Sequence, residues 1–533
     1  MKKRSHSDRK DSIVGRRLFD DIIVGTKRLK KRAETGDFLD NYIMMQYFEW
    51  DLPADHRHWE RLAADAEHLA ALGVSGVWIP PCCKSTSPWD VGYGVYDLFD
   101  LGEFDQKGGV PTKYGDKQSL LQAIERLHLA GLKVYADVVL NHKAAADETQ
   151  EVRVVKVDPM DRRTILSEPF FIEAWTRFYF PGRGEKYSGF QWNWEHFTAT
   201  DYDQRTGETA IFKIVGENKD FSDGVDEEFG NYDFLMFANI DYSHPDVVEE
   251  TIRWGKWITD ELKLDGMRLD AVKHIDENFI ERFVKNIREG LDRSFFVVGE
   301  YWRGEPARLR EYLSDVNYHL TLFDVPLHFN LFDASRAGNG YDLRTIFGDA
   351  LVSYNPMNVV TFVDNHDSQH RQSLESFIEE WFKQIAYALI LLRKDGYPCL
   401  FYGDYYGIGG EAPKAPLKER LDPLLLARKY LSYGDQEDLF EQKNCIGWKR
   451  SGDPEHPGSG LAVVISNECE NALRFSFGAE RTGSIWIDMT GNRGEQIVLD
   501  ETGSADFPVA AGSVSVWAEK QAAEAALRGP GRV

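Results

Sequence analysis

Eight short apolar runs recur between residues 42 and 403, and most are followed by a polar residue and a stretch with helical periodicity. In HWERLAADAEHLAALG, residues 58–73, the apolar residues share one helix face and Gly73 is a natural stop. Apolar strands that alternate with helices predict an α/β fold with a parallel sheet, and eight such units predict a closed (β/α)8 TIM barrel. The predicted strands are YIMMQYF (42–48), VSGVWIP (74–80), KVYADVVLNH (133–142), DGMRLD (265–270), FFVVGE (295–300), HLTLFDVP (319–326), NVVTFVDNHD (358–367) and YPCLFYG (397–403).

Two segments depart from this alternation. Residues 141–240 are rich in aromatic, glycine and charged residues, and a connection this long predicts an inserted β-rich domain after strand three. Residues 434–520 contain short alternating strands separated by Gly and Asn turns, which predict a C-terminal antiparallel β-sandwich domain. The barrel itself is assigned to residues 41–140 and 241–433, and residues 521–533 are expected to form a tail.

The first 40 residues are basic and are expected to form a flexible tail. Residues 1–36 hold 12 Lys/Arg against 5 Asp/Glu, and the cluster KRLKKR lies at residues 27–32. A nuclear or anionic-surface signal and an amphipathic targeting helix are alternative interpretations. Charge runs are more often solvated extensions, so the flexible tail is favoured.

Charge and apolar content restrict the partners of the chain. The net charge is −24 despite the basic tail, which disfavours nucleic acid and anionic membranes as partners. No run approaches the roughly 18 apolar residues of a membrane span, and no apolar core precedes a cleavage site near the N-terminus. The five cysteines are few and odd in number and include no C-x-x-C pair with metal or redox spacing, so a reducing compartment is favoured. We expect a cytoplasmic protein, and we expect it to be monomeric.

Acidic residues end several predicted strands, where the active site of a TIM barrel lies. Strand three continues from Asp137, strand four ends at Asp270, strand five ends at Glu300, and strand seven runs into Asp364–Asp367. Arg268 and Asp270 lie two residues apart and so share a face, where the arginine is expected to lower the pKa of Asp270 and keep it ionised. Glu300 follows an apolar run, so its pKa is expected to be raised.

An ionised carboxylate beside a protonated carboxylic acid is the pair that glycoside hydrolysis requires. Asp270 would attack the anomeric carbon and Glu300 would protonate the leaving oxygen, with their carboxyl groups about 5 to 5.5 Å apart if configuration is retained. Asp367 would stabilise an oxocarbenium-like transition state, and His142 and His366 can bind sugar hydroxyls. Acids at strand ends can also cap helices or pair with arginines, but four strand ends that meet at one site favour catalysis.

No other catalytic motif competes with this interpretation. The sequence contains no G-x-x-x-x-G-K-[ST] phosphate loop, no H-E-x-x-H zinc motif and no G-x-S-x-G nucleophile elbow. Nucleotide chemistry and zinc chemistry are therefore not expected, and neither is an organic cofactor.

Four motifs carry a specific resemblance: DVVLNH (137–142), GMRLDAVKH (266–274), VVGEYW (297–302) and FVDNHD (362–367). In order and spacing they resemble the four signature regions of the α-amylase family. The similarity spans residues 41–520 and is strongest to bacterial liquefying amylases and their intracellular fungal relatives. The resemblance implies a retaining α-amylase that cleaves internal α-1,4 bonds of starch, glycogen or maltooligosaccharides. It assigns Asp270 as nucleophile, Glu300 as acid/base and Asp367 as transition-state stabiliser.

The resemblance also implies which residues bind the α-glucan substrate. They are Arg268, His142 and His366 around the central glucose, Tyr93 stacked on it, Lys273 and His274 on the leaving side of the chain, and Trp302 close by. Stacking on an aromatic ring buries the apolar face of a sugar, although each of these aromatic residues could equally serve ordinary packing.

For calcium, the sequence departs from the family pattern. Asn141, Asp233 and the backbone carbonyl of His274 match family calcium ligands at the junction of the barrel and the inserted domain. Three positions that are aspartates in the liquefying enzymes are occupied here by Thr198, Ser222 and Asn239. Because Ca²⁺ prefers about six to eight oxygen ligands, the resemblance implies at most a weakened main calcium site, with a hydrogen-bonded junction as the alternative.

Two alternative functions remain open. A 4-α-glucanotransferase would use the same carboxylates but would resolve the glycosyl intermediate with a sugar hydroxyl, as α-glucan synthesis requires. A non-catalytic glucan-binding protein on the same fold would not need all three of Asp270, Glu300 and Asp367. The intact set therefore favours an enzyme.

Overall fold

Eight parallel strands close into a barrel in the computed structural model, which describes residues 41–291 and 293–528. The strands are β1 Met44–Gln46, β2 Gly76–Ile79, β3 Lys133–Val138, β4 Gly266–Leu269, β5 Phe296–Gly299, β6 Thr321–Phe323, β7 Val359–Phe362 and β8 Tyr397–Phe401. Each strand pairs with its neighbours in chain order, and β8 pairs with β1 to close the ring. The predicted TIM barrel is therefore confirmed. The predicted basic tail, residues 1–40, lies outside the described residues.

Helices follow the barrel strands along the chain. They are α1 His58–Leu72, α2 Lys117–Leu129, α3 Pro245–Glu261, α4 Glu277–Arg288, α5 Pro306–Asp315, α6 Val325–Ala337, α7 Leu351–Tyr354, α8 Glu380–Leu391, α9 Tyr402–Tyr406, α10 Lys418–Leu431 and α11 Lys520–Arg528. The predicted helix α1 buries Trp59, Leu62 and Leu69 on one face, and Gly73 ends it with a φ of 94°. No helix within the described ranges is long and apolar enough to cross a membrane.

A seven-stranded sheet forms the predicted inserted domain between β3 and α3. Its strands are His142–Lys143, Glu148–Asp158, Asp161–Ile165, Phe170–Arg177, Phe197–Asp203, Glu208–Ile214 and Ala238–Ile240. The first and last of these strands pair with each other, and His142 lies opposite Asn239. Buried Ile172, Phe197 and Phe212 form part of its core. The insertion therefore leaves and rejoins the barrel at one point, next to the end of β3.

The C-terminal domain is antiparallel, as the sequence predicts. One sheet contains Gln436–Gln442, Cys445–Arg450, Leu461–Ser466, Ile485–Asp488, Ile497–Val498 and Ser513–Glu519, and a second contains Asn471–Ser476 and Ser504–Val509. Trp486 and Trp517 from the first sheet and Phe507 from the second share one buried cluster. The two sheets therefore pack through aromatic residues on their inner faces.

Helix α11 corrects one predicted boundary. The tail predicted for residues 521–533 is helical as far as Arg528, and the side chains of Ala523 and Ala526 are buried. Alanines spaced three apart form a narrow apolar face, which contributes much less to a sequence pattern than large apolar residues do. The described part of this segment is therefore an element of the fold and not a tail.

Candidate active site

One buried arginine joins the ends of three neighbouring strands. The Nη1 of Arg268 on β4 donates to Oδ1 of Asp137 on β3 (2.8 Å) and to Oδ1 of Asp270, which follows β4 (2.6 Å). Its Nη2 lies 2.6 Å from Oε2 of Glu300, which follows β5. The two groups are in close contact, but the contact does not have the angles of a hydrogen bond. The strand register explains the convergence, because Arg268 lies beside Asp137 on one side and beside Val298 on the other.

The ionisation of Asp270 differs from the sequence prediction in direction. Burial raises the pKa of Asp270 to about 6, Arg268 opposes this, and the nearby charge of Asp137 adds to it. The expectation that the pKa of Asp270 is lowered is therefore wrong for this site without substrate, because burial outweighs the arginine. A carboxyl group with a pKa of about 6 is still mostly ionised at neutral pH.

Glu300 has the environment of a proton donor. Burial raises its pKa, as the sequence predicts, and the charge of Asp270 acts in the same direction. Its Oε2 accepts from the amide N–H of Ala271 (3.3 Å), a non-glycine residue in the left-handed region with a φ of 49°. Its Oε1 is buried and has no hydrogen-bond partner among the described residues. A buried carboxyl group with a raised pKa and an unpaired oxygen has the environment of a general acid.

Asp367 completes the group of acids. Burial raises its pKa well above the ordinary range, and the nearby charge of Glu300 adds to this. Its Oδ2 lies 3.3 Å from Nε2 of His366. The structure thus brings together the three carboxyl groups that the sequence predicts as catalytic.

A wall of parallel rings lies beside the acids. Tyr93 and His366 stack at a centroid distance of 5.1 Å and 5°, and Trp50 lies parallel to Tyr93 at 5.9 Å. The Tyr93 hydroxyl donates to Oδ2 of Asp137 (2.8 Å), and the Trp78 indole N–H donates to the same oxygen (3.0 Å). Sequence reasoning did not assign roles to Trp50, Trp78 or Asp137. Trp50 follows β1, and Trp78 and Asp137 lie near the C-terminal ends of β2 and β3; this placement is the signal that could have identified them.

Both histidines near the acids are neutral. Burial lowers the pKa of His142 to about 4, and its Nε2 donates to the Tyr93 carbonyl (2.9 Å). Burial also lowers the pKa of His366 well below its usual value, and its Nδ1 lies 2.9 Å from Nε2 of Gln46. These rings can therefore act as hydrogen-bonding groups and not as charges.

The residues predicted for the leaving side are in different environments. Lys273 Nζ donates to Oε2 of Glu228 (2.9 Å) and to the carbonyl of Trp302 (3.2 Å). His274 is 4 % exposed, and its Nδ1 donates to the Tyr232 carbonyl (2.8 Å). Lys273 and Trp302 thus lie together in a half-buried position, whereas His274 lies inside the junction. Their contacts with substrate stay predictions.

The predicted calcium ligands meet, but they are joined by hydrogen bonds. Asn141 Nδ2 lies 3.2 Å from the carbonyl oxygen of His274 and 3.4 Å from that of Asp233. Asp233 Oδ2 accepts from Thr198 Oγ1 and from Asn239 Nδ2, each at 2.9 Å. The described residues contain no cluster of three or more His, Cys, Asp or Glu that could hold a metal ion. One carboxylate, of which Oδ2 already accepts two hydrogen bonds, does not fit the roughly six to eight oxygen ligands of calcium.

Comparisons with known proteins point to one family. Residues 59–455 match the protein family described as "Alpha amylase, catalytic domain". The chain is 48 % identical over 482 residues to an α-amylase of Bacillus licheniformis, which covers 90 % of this chain and 94 % of that protein. It is 42 % identical over 489 residues to a cytoplasmic α-amylase of Escherichia coli (strain K12), covering 90 % and 98 %. Among solved structures, the α-amylase from Geobacillus thermoleovorans complexed with acarbose aligns with a TM-score of 0.60 at 18 % identity, covering 90 % and 97 %, and supports the fold.

Removal of the arginine should make the stability depend on pH. In an Arg268→Met variant the buried carboxyl groups lose the cation that lowers their pKa values, so the folded state binds more protons than the unfolded state. Stability should then fall as pH rises above about 4, the ordinary carboxyl value, and breaking such a buried pair costs about 3–5 kcal/mol when the carboxyls are ionised. Melting temperatures measured from pH 5 to pH 8 should show a deficit, relative to wild type, that grows with pH.

The matched control is Arg344→Met, which removes an exposed pair with Asp342. Its deficit should be small and nearly constant over the same pH range. A deficit of Arg268→Met that does not change with pH would contradict the view that Arg268 compensates these carboxylates.

Proposed function

Because the chain belongs to the α-amylase family, we propose that it cleaves internal α-1,4-glucosidic bonds of starch, glycogen and maltooligosaccharides with retention of configuration. The chain is a glycoside hydrolase. The observation that carries the proposed mechanism is the placement of Asp270 and Glu300 against neighbouring nitrogens of one buried guanidinium. This supports the short separation that a retaining pair of carboxyls requires.

In the proposed first step, Asp270 attacks the anomeric carbon. Arg268 occupies Oδ1 of Asp270, so Oδ2 is the oxygen available for attack. The bond between the anomeric carbon and the glycosidic oxygen breaks, and the proton of Glu300 moves to that oxygen. The products of this step are a glycosyl ester on Asp270, a released glucan chain and an ionised Glu300.

In the second step, water hydrolyses the glycosyl ester on Asp270. Glu300, now a carboxylate, takes a proton from water as the water oxygen attacks the anomeric carbon. The bond to Asp270 breaks and the ionised carboxylate returns to its pairing with Arg268. Glu300 regains its proton, so the same two residues are ready for another cycle.

Asp367 and the parallel rings beside the acids bind the sugar in this proposal. Asp367 stabilises positive charge at the anomeric centre and binds sugar hydroxyls. Tyr93 lies on the apolar face of the central glucose, while the neutral His142 and His366 bind its hydroxyls. Transfer to a sugar hydroxyl would use the same carboxylates, and it differs only in which molecule attacks the glycosyl ester.

The setting of the reaction is also a proposal. We propose the cytoplasm as its location because the E. coli relative is named a cytoplasmic α-amylase. A neutral α-glucan is the partner that an acidic chain of net charge −24 tolerates best. The monomeric state stays a prediction.

The variants Asp270→Asn and Glu300→Gln test the assigned roles. Asp270→Asn removes the nucleophile, and Glu300→Gln removes a general acid whose contribution is about 10²–10⁴-fold. We expect kcat on maltooligosaccharides to fall by at least these factors in both variants, with folding intact in thermal melting. The control Asp506→Asn, an exposed residue on a strand of the C-terminal domain, should keep wild-type turnover. More than a tenth of wild-type kcat in Asp270→Asn would exclude Asp270 as the nucleophile.

We further propose that the junction of the inserted domain works without a resident calcium ion. Support comes from the donor set around Asp233, which consists of amide and hydroxyl groups. A bound ion present at about 1,000 times its Kd would contribute about 4 kcal/mol, so its removal would lower the melting temperature of a chain of this size by about 4 °C. After chelation and desalting, we expect an unchanged melting temperature, unchanged activity and no stoichiometric calcium by elemental mass spectrometry.

An Asn239→Asp variant makes this test sharper. It places a second carboxylate beside Asp233, so its melting temperature should fall when chelator is present and recover when calcium is added. A large calcium-dependent shift in the wild-type protein would refute the metal-free junction.

A further inference from the structure

Gln46 lies at the C-terminal end of β1 and contacts a histidine of the candidate active site. It is the last residue of β1 and is fully buried, with an exposure of 0 %. Its Nε2 lies 2.9 Å from Nδ1 of His366, which belongs to the loop after β7, a strand that does not pair with β1. Its Oε1 has no hydrogen-bond partner among the described residues. The polar contact of the Gln46 side chain is therefore directed at His366.

The plane of the His366 ring is fixed by its neighbours. Tyr93 lies parallel to it at 5.1 Å and Trp50 lies parallel at 6.0 Å. Phe48 packs at 5.0 Å with a tilt of 48°, and Trp78 meets the ring edge-on at 5.9 Å. A ring held in this way can neither rotate nor flip without moving four aromatic neighbours. Each of its nitrogens consequently has one fixed direction.

The two nitrogens of His366 face different groups. Nδ1 faces the Gln46 amide, and Nε2 lies 3.3 Å from Oδ2 of Asp367 without a hydrogen-bond partner among the described residues. The ring is neutral, because burial and the charge of Arg268 both lower its pKa, so it carries one N–H and one acceptor nitrogen. When Gln46 donates to Nδ1, the proton of the ring must lie on Nε2, on the side of Asp367.

We propose that Gln46 is a positioning residue that selects the Nε2–H tautomer of His366. This inference rests on the proposed function, because it concerns how His366 serves Asp367 and the sugar. With the proton on Nε2, the N–H of His366 is available to a sugar hydroxyl on the side of Asp367, and its partial positive charge favours the ionised form of Asp367. With the proton on Nδ1, the Nε2 lone pair would face Asp367 and would favour the protonated acid. That form cannot stabilise a positively charged transition state.

Two substitutions of similar size separate this role from simple packing. Gln46→Met keeps the volume and removes the donor, so both tautomers become accessible. Gln46→Glu keeps the shape, but its carboxylate accepts from Nδ1–H and therefore selects the opposite tautomer. If Gln46 only filled space, Gln46→Met would behave like wild type.

The kinetic test uses both variants with maltooligosaccharides. Loss of an orienting hydrogen bond typically costs about 10- to 100-fold, so kcat of Gln46→Met should fall by this factor while KM changes by less than about threefold. An enforced wrong tautomer costs more, so kcat of Gln46→Glu should fall by about 10²-fold or more. The control Gln442→Met, on an exposed strand of the C-terminal domain, should be unaffected. Wild-type kcat in Gln46→Met would overturn the proposal.

A spectroscopic measurement tests the tautomer without any substrate. Long-range nitrogen–proton NMR of protein labelled with ¹⁵N-histidine distinguishes a protonated ring nitrogen from an acceptor nitrogen, and comparison with His366→Asn identifies the signal among the 14 histidines. We expect Nε2–H in wild type and Nδ1–H in Gln46→Glu. An Nδ1–H tautomer in wild type would refute the role of Gln46. Because no turnover is involved, this result is independent of whether the proposed function holds.

Discussion

The guanidinium of Arg268 is the constraint on which the rest of the site depends. Three carboxyl groups that are almost fully buried would be very unfavourable together without a cation, because each adds to the field that the others experience. Arg268 contacts Asp137, Asp270 and Glu300 from neighbouring strands, and this is possible only because a closed parallel barrel brings consecutive strand ends to one rim. The side chain of Arg268, which is 1 % exposed, therefore links the strand ends of the fold to the carboxyl groups of the site.

One positive charge cannot compensate all the acids, and this excess of acid has a chemical use. Burial and mutual repulsion leave Asp270 with a pKa of about 6, whereas those of Glu300 and Asp367 are raised. The site thus pairs Asp270, which is mostly ionised at neutral pH, with Glu300, whose raised pKa suits a proton donor, and double displacement needs such a pair. The nearby histidines are neutral, so they add hydrogen bonds without adding a second cation. The proposed role of Gln46 follows from this, since a neutral imidazole can donate to its target only if its proton is on the correct nitrogen.

The sequence predicted the barrel and the convergence of Asp270, Glu300 and Asp367 because both depend on local patterns. Apolar runs that end in acids mark β4 and β5, and the spacing of Arg268 and Asp270 places them on one face. The sign of the pKa shift of Asp270 could not be predicted, because it depends on how deeply the folded barrel buries the group. Gln46 was not identified for a similar reason: a glutamine inside an apolar run shows no motif, and its role depends on a contact across the barrel. The junction at Asp233 likewise depends on where side-chain amides point, which sequence spacing does not specify.

The central claim is that Asp270, held by Arg268, forms a covalent bond to the sugar. The most direct measurement is mass spectrometry of peptides from enzyme incubated with a fluorinated α-glucosyl or maltosyl fluoride, which slows breakdown of the glycosyl ester. The account predicts one glycosyl adduct per chain, located on the peptide that contains Asp270. An adduct on the peptide that contains Glu300 or Asp367, or inactivation without any adduct, would contradict it.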